Sequence, residues 1–558
     1  MIRRAPALSV ARPPWTVRLL GAAVLLGGLR DQRLAALGEA TVFAAVWFER
    51  PALGPAVPWL PWLAWVVLSA LLSAQPLTAL PVLARWSAVL AFFSLGAAWG
   101  EAERENWLKT LMAVTMILAA AALWTGIPGF RAGMTGLLPP YYNYTTFALS
   151  SGVAAGAVWA LHLRTPFLRY RLAGFGAAAL GAVCLILAHG RGAVLGLLFA
   201  AIVWVARRWG LKAGFAALAA AGLAAGTFQA DLLPAPWRAY ALRHGGTYRE
   251  ARLDIWRSAA LIADENKWLG AGPGNFGAAF RLHPAPARGG QARWGFNTDY
   301  AHSEPLQAAA ETGWVGLALW LIGLGASLSF LAGRANEEPA REAAAIAAVA
   351  MVVHLAVDNM LQLPGLAFLF FSALAVAGMG APDGPRWPRW AVVAGLVLAL
   401  TAWIPRAMAD GNPLRAAALF PRDADPYEDL AYRAMSAGDA AQADAMWAQA
   451  EERAPFNAVY PWRRAQIAAA QGRWAATEAL AGRAAESEPG FLNDRVLRAE
   501  ALRRLGRPSE ARAELTAVSS AVRERGDRAG SSGYDTTIWE LDRKEFDRVA
   551  ALVKSNPR

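Results

Sequence analysis

The sequence predicts an all-α, polytopic membrane protein with a helical domain at its C-terminal end. Three observations predict this fold class: the 558-residue chain is 56% hydrophobic, only 17% of it is charged, and the charge clusters between long apolar runs. A soluble chain of this length would instead form several domains with charged surfaces. Apolar runs separated by short charged loops are typical of membrane-spanning helices.

Apolar runs long enough to cross a bilayer recur along the first part of the chain. A span needs about 20 apolar residues, and on that criterion we predict about 12–13 spans. The expected cores lie near residues 16–30, 34–48, 59–75, 82–99, 107–126, 143–162, 172–189, 192–206, 212–230, 305–332, 342–358, 361–380 and 390–407.

The Lys and Arg residues of the short loops predict the orientation of the spans, because basic short loops stay in the cytoplasm. With the N-terminus in the cytoplasm, four basic loops also fall there: 163–171, 207–212, 333–341 and 381–389. Arg30 and Arg33 fall outside and are the main disagreement with this assignment. It places the Gly190-Arg191 turn, the long polar loop after the ninth span and everything beyond residue 407 outside.

The formal net charge of +12 does not indicate a nucleic-acid-binding protein, because the arginines are scattered through short loops and form no basic stripe. A single cysteine, Cys184, excludes an internal disulfide and a Cys-rich zinc site. It lies in an apolar run, so we expect it to be a small buried side chain.

The C-terminal part is charged, rich in alanine and repetitive. Proline, glycine and alanine recur there every 34 residues, at Pro421, Pro455 and Pro489, at Gly438, Gly472 and Gly506, and at Ala416, Ala450 and Ala484. A 34-residue period with glycine between two helices and proline after the second is the tetratricopeptide pattern. We therefore predict three units: a membrane domain at 1–410, tetratricopeptide-like repeats at 411–522, and a flexible segment with a short helix at 523–558.

The polar segment 231–304 interrupts the spans and carries the residue types of a reactive site. Arg249, Arg252 and Trp256 would share one face of a helix. Arginine binds phosphate oxygens through two parallel hydrogen bonds, and Arg191 at the outer end of a span could also meet a lipid diphosphate. The simpler interpretation, in which these arginines face headgroups or pair with Glu250 and Asp254, is favoured only for Arg249.

His302 is the candidate proton acceptor, because an ordinary imidazole can take a proton at neutral pH. Spacing alone does not exclude His189, His244, His283 or His354. The loop has no HExxH and no Asp-x-Asp pair, so no metal site and no cofactor are expected. The glycine-rich stretch 270–276 is interpreted as a turn between interfacial helices.

These residues resemble the O-antigen ligase and polymerase superfamily. The resemblance covers roughly residues 60–380 and rests on an ordered series: Arg191 in Gly-Arg-Gly; Arg252-Leu-Asp-Ile-Trp256; Lys267-Trp-Leu-Gly-Ala-Gly-Pro-Gly-Asn-Phe276; His302-Ser-Glu-Pro-Leu306; and Glu311-Thr-Gly313-Trp-Val-Gly316. Ser303 stands where relatives often carry Asn, which leaves the positioning of the acceptor open.

The resemblance implies a metal-independent, inverting glycosyltransferase of the all-helical GT-C-like membrane class, in the bacterial inner membrane. The donor would be a glycan on undecaprenyl diphosphate at the periplasmic face, and the acceptor a sugar of lipid A–core or another glycan. His302 would deprotonate the acceptor hydroxyl, Arg191 and Arg252, with Arg249, would hold the diphosphate, and Glu304 and Glu311 would position the acceptor or the loop.

Several alternatives remain open on the sequence. A polymerase of the same superfamily would carry nearly the same motifs, and transfer to protein Ser or Thr is kept open by the repeats, which could bind a protein partner. A transporter is less favoured, since mid-span charges are few, chiefly Glu39 and Arg85, and the spans show no internal repeat. A scaffold would not need so many spans.

Overall fold

The computed structural model is built from helices packed around a long apolar core. It describes residues 15–25, 31–131, 142–188, 190–229, 246–283, 298–332, 337–378, 384–525, 537–538 and 540–555; within these, side chains are described except at 15, 127–131, 142–143, 221–229, 246–251 and 524–525. The polar-loop residues 231–245 and 284–297 lie outside the described residues, and so do residues 526–536 of the predicted flexible segment and two of the alternative histidines, His189 and His244.

In the described part of the chain, nine α-helices precede the polar loop. They are α1 Trp15–Leu25, α2 Gln32–Glu49, α3 Leu60–Leu72, α4 Ala79–Ala97, α5 Glu101–Arg131, α6 Tyr142–Leu161, α7 Leu168–Leu187, α8 Arg191–Trp209 and α9 Leu211–Gln229. The loop region contains α10 Gly246–Glu265 and α11 Phe276–Leu282. It is followed by α12 Glu304–Ser327, α13 Pro339–Leu355, α14 Pro364–Ala377, α15 Arg389–Thr401 and α16 Ile404–Ala409.

Eight helical segments of the described chain are long and apolar enough to cross a membrane: Gly54–Leu72, Pro76–Ala97, Glu101–Gly126, Tyr144–Leu161, Leu168–Leu187, Arg191–Trp209, Glu304–Ser327 and Arg389–Ala409. This is fewer than the predicted 12–13. The predicted run at 361–380 contains only the 14-residue helix α14, and α13 has 17 residues. Helix α2 carries Arg33, Glu39 and Glu49, so its length is adequate but its composition is not uniformly apolar.

Aromatic side chains join the helices that surround the later part of the bundle. The ring of Trp59 lies 5.7 Å from Trp86, 6.2 Å from Trp320 and 5.2 Å from Phe371, as centroid distances. These residues belong to the short 3₁₀ segment Gly54–Trp59 and to helices α4, α12 and α14, so one cluster fixes four segments relative to one another. Cys184 is buried, as predicted.

Helix α12 is broken near its start, and the polar loop crosses the break. Gly313 has φ 73°, a left-handed conformation that glycine adopts without strain. The carbonyls freed by the break find new partners, because Ala271 and Gly272 donate their N–H groups to the carbonyls of Ala310 and Glu311 at 2.9 and 3.0 Å. The glycine-rich stretch is therefore a turn, as predicted, and it fixes the loop to the bundle.

The C-terminal part consists of helical hairpins, which we call the hairpin domain (residues 413–525 with 540–555). Its helices are α17 Pro413–Leu419, α18 Asp425–Ser436, α19 Ala440–Arg453, α20 Val459–Ala470, α21 Trp474–Ser487, α22 Leu492–Arg504, α23 Pro508–Arg525 and α24 Arg543–Ser555. Gly438, Gly472 and Gly506 occupy the turns between paired helices with φ of 76°, 71° and 77°. The 34-residue period is thus one hairpin per repeat; the tetratricopeptide assignment itself stays a prediction.

Candidate functional site

His302 lies where the polar loop enters α12, in a backbone conformation that residues other than glycine seldom adopt. Its φ is 49°, and such strain concentrates at functional sites. The indole Nε1 of Trp256 donates to the His302 carbonyl at 3.2 Å, and the Ser303 N–H donates to Asn359 Oδ1 at 2.9 Å. These two bonds hold the backbone on both sides of the imidazole and fix its direction.

The carboxylate of Asp358 connects His302 to Arg252. Its Oδ1 lies 3.3 Å from His302 Nδ1, and its Oδ2 lies 3.6 Å from Arg252 Nη2. Burial alone would raise the pKa of Asp358, but the hydrogen bond with His302 and the charge of Arg252 lower it below its ordinary value. The ionised carboxylate accepts a hydrogen bond from Nδ1–H, which leaves Nε2 of His302 as the nitrogen that can accept a proton.

Arg252 and Trp256 project from one face of α10 toward the same neighbours. Arg252 Nη1 donates to the Val357 carbonyl at 2.8 Å, next to Asp358 in the turn between α13 and α14. Asp254 pairs with Arg257 at 3.1 Å instead of with Arg252. Arg249 lies in the same helix, but its side chain falls outside the described part of the chain.

Arg191 is the first residue of α8 and is exposed. The first turn of this helix packs closely against the end of α13: a Cβ at Gly192 would lie 2.8 Å from the His354 ring and 3.0 Å from Val357. The start of α8 therefore lies beside the segment that accepts the hydrogen bond from Arg252. The structure brings His302 and Arg252 together through Asp358, and it places Arg191 at the neighbouring helix end.

Glu304 and Glu311, the predicted positioning residues, are both buried in the first half of α12. Glu304 Oε1 accepts the Leu361 N–H at 2.7 Å, which ties α12 to the α13–α14 turn. Glu311 accepts from Gln307 Nε2 at 2.7 Å and from backbone N–H groups of Gly274 and Phe276. Both carboxylates thus hold segments that surround His302.

A cavity of about 760 Å³ opens beside His302. It lies between helices α2 and α4, the glycine-rich turn with α11, the α13–α14 turn, the α15–α16 junction and the first residues of the hairpin domain. Its volume is in the range of roughly 300–1,000 Å³ that is usual for small-molecule sites. Six carboxyl groups and three guanidinium groups line it: Glu39, Asp299, Glu311, Asp358, Asp423 and Asp425, with Arg85, Arg281 and Arg406.

Four buried polar atoms on the cavity wall have no hydrogen-bond partner among the described residues: Arg85 Nε, Tyr144 Oη, Arg281 Nε and Asn359 Nδ2. All four residues are at least nine-tenths buried, with relative exposures of 8%, 4%, 7% and 6%. A buried donor without a partner is costly, by about 1–3 kcal/mol, and native proteins leave few of them. The residues of the wall therefore carry buried donors that no described residue uses.

The sequence reasoning missed Asp358, Asn359 and Arg281 as site residues. Asp358 is the last residue of a predicted span, and a carboxylate at that position usually indicates only the boundary of the span. The sequence signal for Asp358 is the polar pair Asp358-Asn359 directly after an apolar segment. Polar side chains at that position are costly in lipid unless they have hydrogen-bond partners. Arg85 and Glu39 were recognised as rare mid-span charges, and both line the cavity.

The other described histidines have different surroundings. His354 is buried in α13 with its ring 5.4 Å from that of Phe147 and beside Gly192. His283 Nε2 lies 3.0 Å from Glu265 Oε2 and does not line the cavity. Among the residues described, no group of three or more His, Cys, Asp or Glu side chains is arranged to hold a metal ion.

Comparison with known families supports the resemblance. Residues 176–321 match the family model described as O-Antigen ligase. The match starts in α7 and ends in α12, so it includes Arg191, Arg252 and His302 and stops before Asp358. It supports an activity of the O-antigen ligase and polymerase superfamily, in a glycosyltransferase-like enzyme with multiple membrane helices. No curated protein matches the chain.

Proposed function

We propose that this chain is an O-antigen ligase-type glycosyltransferase that moves a glycan from undecaprenyl diphosphate to a sugar hydroxyl of lipid A–core. The reaction is inverting and metal-independent, and it takes place at the periplasmic face of the bacterial inner membrane. The observation that carries this proposal is His302, which Asp358 holds at the edge of a large polar cavity while the same carboxylate contacts Arg252.

The chemistry follows from this arrangement. His302 Nε2 takes the proton of the acceptor hydroxyl while the hydroxyl oxygen attacks the anomeric carbon of the donor sugar. The bond between that carbon and the diphosphate oxygen breaks, and its electron pair leaves with the diphosphate. Attack from the side opposite the leaving group inverts the anomeric configuration. Arg252 and Arg191, with Arg249, stabilise the charge that builds on the diphosphate.

The positions of the candidate residues support a division between donor and acceptor. The two arginines proposed to bind the diphosphate, Arg252 and Arg191, do not line the cavity, whereas His302 does. We therefore place the diphosphate at the starts of α8 and α10 and the acceptor sugar in the cavity, with His302 between them. Glu304 and Glu311 keep the motif segment and the glycine-rich turn in register with this site.

The test is transfer by the purified protein in liposomes, with an undecaprenyl-diphosphate-linked glycan as donor and lipid A–core as acceptor. His302→Ala should lower turnover by about 10²–10⁴-fold, the usual contribution of a general base. His283→Ala is the matched control, because His283 belongs to the same loop, pairs with Glu265 and lies away from the cavity. Turnover of a folded His302→Ala protein close to that of His283→Ala would refute the role of His302.

The same assay separates the related activities. A polymerase would lengthen the glycan on its lipid carrier when lipid A–core is left out, and a protein oligosaccharyltransferase would glycosylate an added protein at Ser or Thr. A ligase gives product only on lipid A–core. In this proposal residues 1–410 form the catalytic membrane domain and 411–522 form tetratricopeptide-like repeats that can also recruit a protein, followed by the segment 523–558.

A further inference from the structure

We propose that the hairpin domain completes the acceptor site: an uncharged sugar of the acceptor binds between His302 and a wall formed by Asp299, Arg281 and Asp423, which the Arg281–Asp425 ion pair holds in place. This inference rests on the proposed function. It assigns the start of the hairpin domain a part in binding acceptor, beyond the recruitment of partners.

The first support is a direct contact between the loop and the hairpin domain. Arg281 Nη2 of α11 lies 2.8 Å from Asp425 Oδ2 at the start of α18, across 144 residues of sequence. The Arg281 side chain is 8% exposed, whereas that of Asp425 is 69% exposed. A buried guanidinium needs its carboxylate, since losing the partner of a buried charge costs more than losing a surface pair. This contact fixes α18 at the cavity.

The second support is the unpartnered Arg281 Nε. One edge of the guanidinium binds Asp425, while Nε, also buried, has no partner among the described residues and belongs to the cavity wall. Arg85 Nε, Tyr144 Oη and Asn359 Nδ2 are likewise buried and without a partner among the described residues, and their residues also line the cavity. A cavity lined by both hydrogen-bond donors and carboxylate acceptors suits a ligand with many hydroxyl groups, which a sugar has and a lipid chain lacks.

The third support is the chemistry of the acidic and aromatic side chains that line the cavity. Asp299 and Asp423 can accept hydrogen bonds from hydroxyls, and they repel phosphate or carboxylate substituents. Trp403 and Tyr300 also line the cavity, and aromatic faces offer apolar surface to the C–H side of a sugar ring. Burial raises the pKa of Asp423, Arg281 opposes this shift, and Asp425 adds to it. The chemistry therefore indicates an uncharged, hydroxyl-rich acceptor sugar.

The experiment measures transfer by the full-length protein in liposomes while lipid A–core and donor are titrated separately. Asp423→Asn should raise the KM for lipid A–core about tenfold, as expected for the loss of one hydrogen bond to a substrate, about 1.4 kcal/mol, and should leave the KM for donor unchanged. Asp423→Glu should recover part of the loss. Asp425→Asn should raise the same KM, because Arg281 loses its partner.

Asp429→Asn is the matched control, since Asp429 is an exposed residue of α18, the helix that begins at Asp425, and does not line the cavity. An acceptor KM for Asp423→Asn and Asp425→Asn equal to that of the control overturns the inference, and so does an equal rise in donor KM, which would indicate a general structural role. Neither result contradicts the proposed function. The proposed function would instead fail if the unaltered protein transferred no glycan or if His302→Ala left turnover unchanged.

Discussion

Two buried arginines of the membrane part, Arg207 and Arg85, differ in how completely they are bound. Arg207 contacts both carboxyl oxygens of Glu342 at 3.5 and 3.1 Å and donates to the carbonyls of Phe330 and Leu331 at 3.0 and 3.3 Å. Arg85 donates only to Gln362, at 3.1 and 2.9 Å, and its buried Nε has no partner among the described residues. The protein uses every edge of the Arg207 guanidinium, whereas Arg85, a residue that lines the cavity, keeps one buried donor without a partner among the described residues.

The location of the two arginines explains the difference. Arg207 lies with Arg164–Glu337 and Arg104–Glu338, where three of the loops predicted to be cytoplasmic meet. Arg85 lines the cavity that His302 and the first residues of the hairpin domain also line. A fully satisfied buried charge indicates a structural lock, whereas buried donors left open at a cavity indicate a ligand site. Three changes test this distinction.

Removing the structural lock should have the largest effect. Arg207→Met leaves Glu342, 1% exposed, without its partner, and breaking such a buried pair costs about 3–5 kcal/mol of unfolding free energy. Denaturant unfolding in detergent measures this loss. Arg208→Met, which alters an exposed neighbour, should stay within about 0.5 kcal/mol. Transfer per folded molecule should be unchanged, and a large fall in that quantity would break the distinction between lock and site.

Asp358→Asn should act mainly on the reaction. The amide keeps the shape of the side chain but no longer fixes the tautomer of His302 or balances Arg252, so kcat should fall about 10²-fold or more. Asp264→Asn, which alters an exposed acceptor of Trp314 Nε1, should leave kcat unchanged. An Asp358→Asn enzyme with normal kcat would contradict the assignment of Asp358 as the group that orients the base.

The same substitution has a pH signature. Because the pKa of Asp358 is lowered from its ordinary 3.8, the ionised carboxylate stabilises the folded state above that value, and this stabilisation is lost as pH falls through the lowered pKa. The unfolding free energy of the unaltered protein should therefore fall in acid by an increment that Asp358→Asn lacks. Equal acid dependence of the two proteins would show that Asp358 is not ionised in the fold.

The sequence indicated the candidate residues and the local structure around them, because both depend on short motifs. The spacing of Arg252 and Trp256 predicts one face of a helix, and both lie on α10; the glycine-rich stretch forms the expected turn. The roles of these residues stay a prediction. The hairpin turns follow from the 34-residue spacing of glycine. Each of these inferences needs only neighbours along the chain or a short period.

The rest depends on packing between distant segments. Asp358 becomes a partner of His302 only because the α13–α14 turn folds against the start of α12. Arg281 meets Asp425 across 144 residues, and no local pattern marks either residue as one of a pair. The cavity is likewise a gap between helices that come together only in the fold. Eight of the predicted 12–13 spans meet the criteria of length and composition among the described residues. Helices α13 and α14 are apolar, but they have only 17 and 14 residues.

Asp494, which does not line the cavity, provides the test of this distinction with the smallest expected effect. It is fully buried in the hairpin domain, and neither carboxyl oxygen has a hydrogen-bond partner among the described residues. The nearby Arg495 and Arg498 bind Glu514 instead, at 2.6 and 2.9 Å. Burial, and then the charge of Glu514, raise the pKa of Asp494 well above 3.8. Because the folded state holds the proton more tightly, stability is greatest below the ordinary pKa and falls as pH rises through the raised value.

Asp494→Asn should therefore stabilise the full-length protein at neutral pH by about 1 kcal/mol and flatten this pH dependence, without changing transfer. Hydrogen exchange of residues 492–504 at about pH 5 and about pH 8 measures both effects, and Asp547→Asn, an exposed site on α24, is the control. Since Asp494 does not line the cavity, a buried carboxyl group without hydrogen-bond partners there should only lower stability. A loss of acceptor transfer in Asp494→Asn would mean that buried polar groups without hydrogen-bond partners contribute to function even away from the cavity. The position of Arg85 at the cavity would then not explain its difference from Arg207.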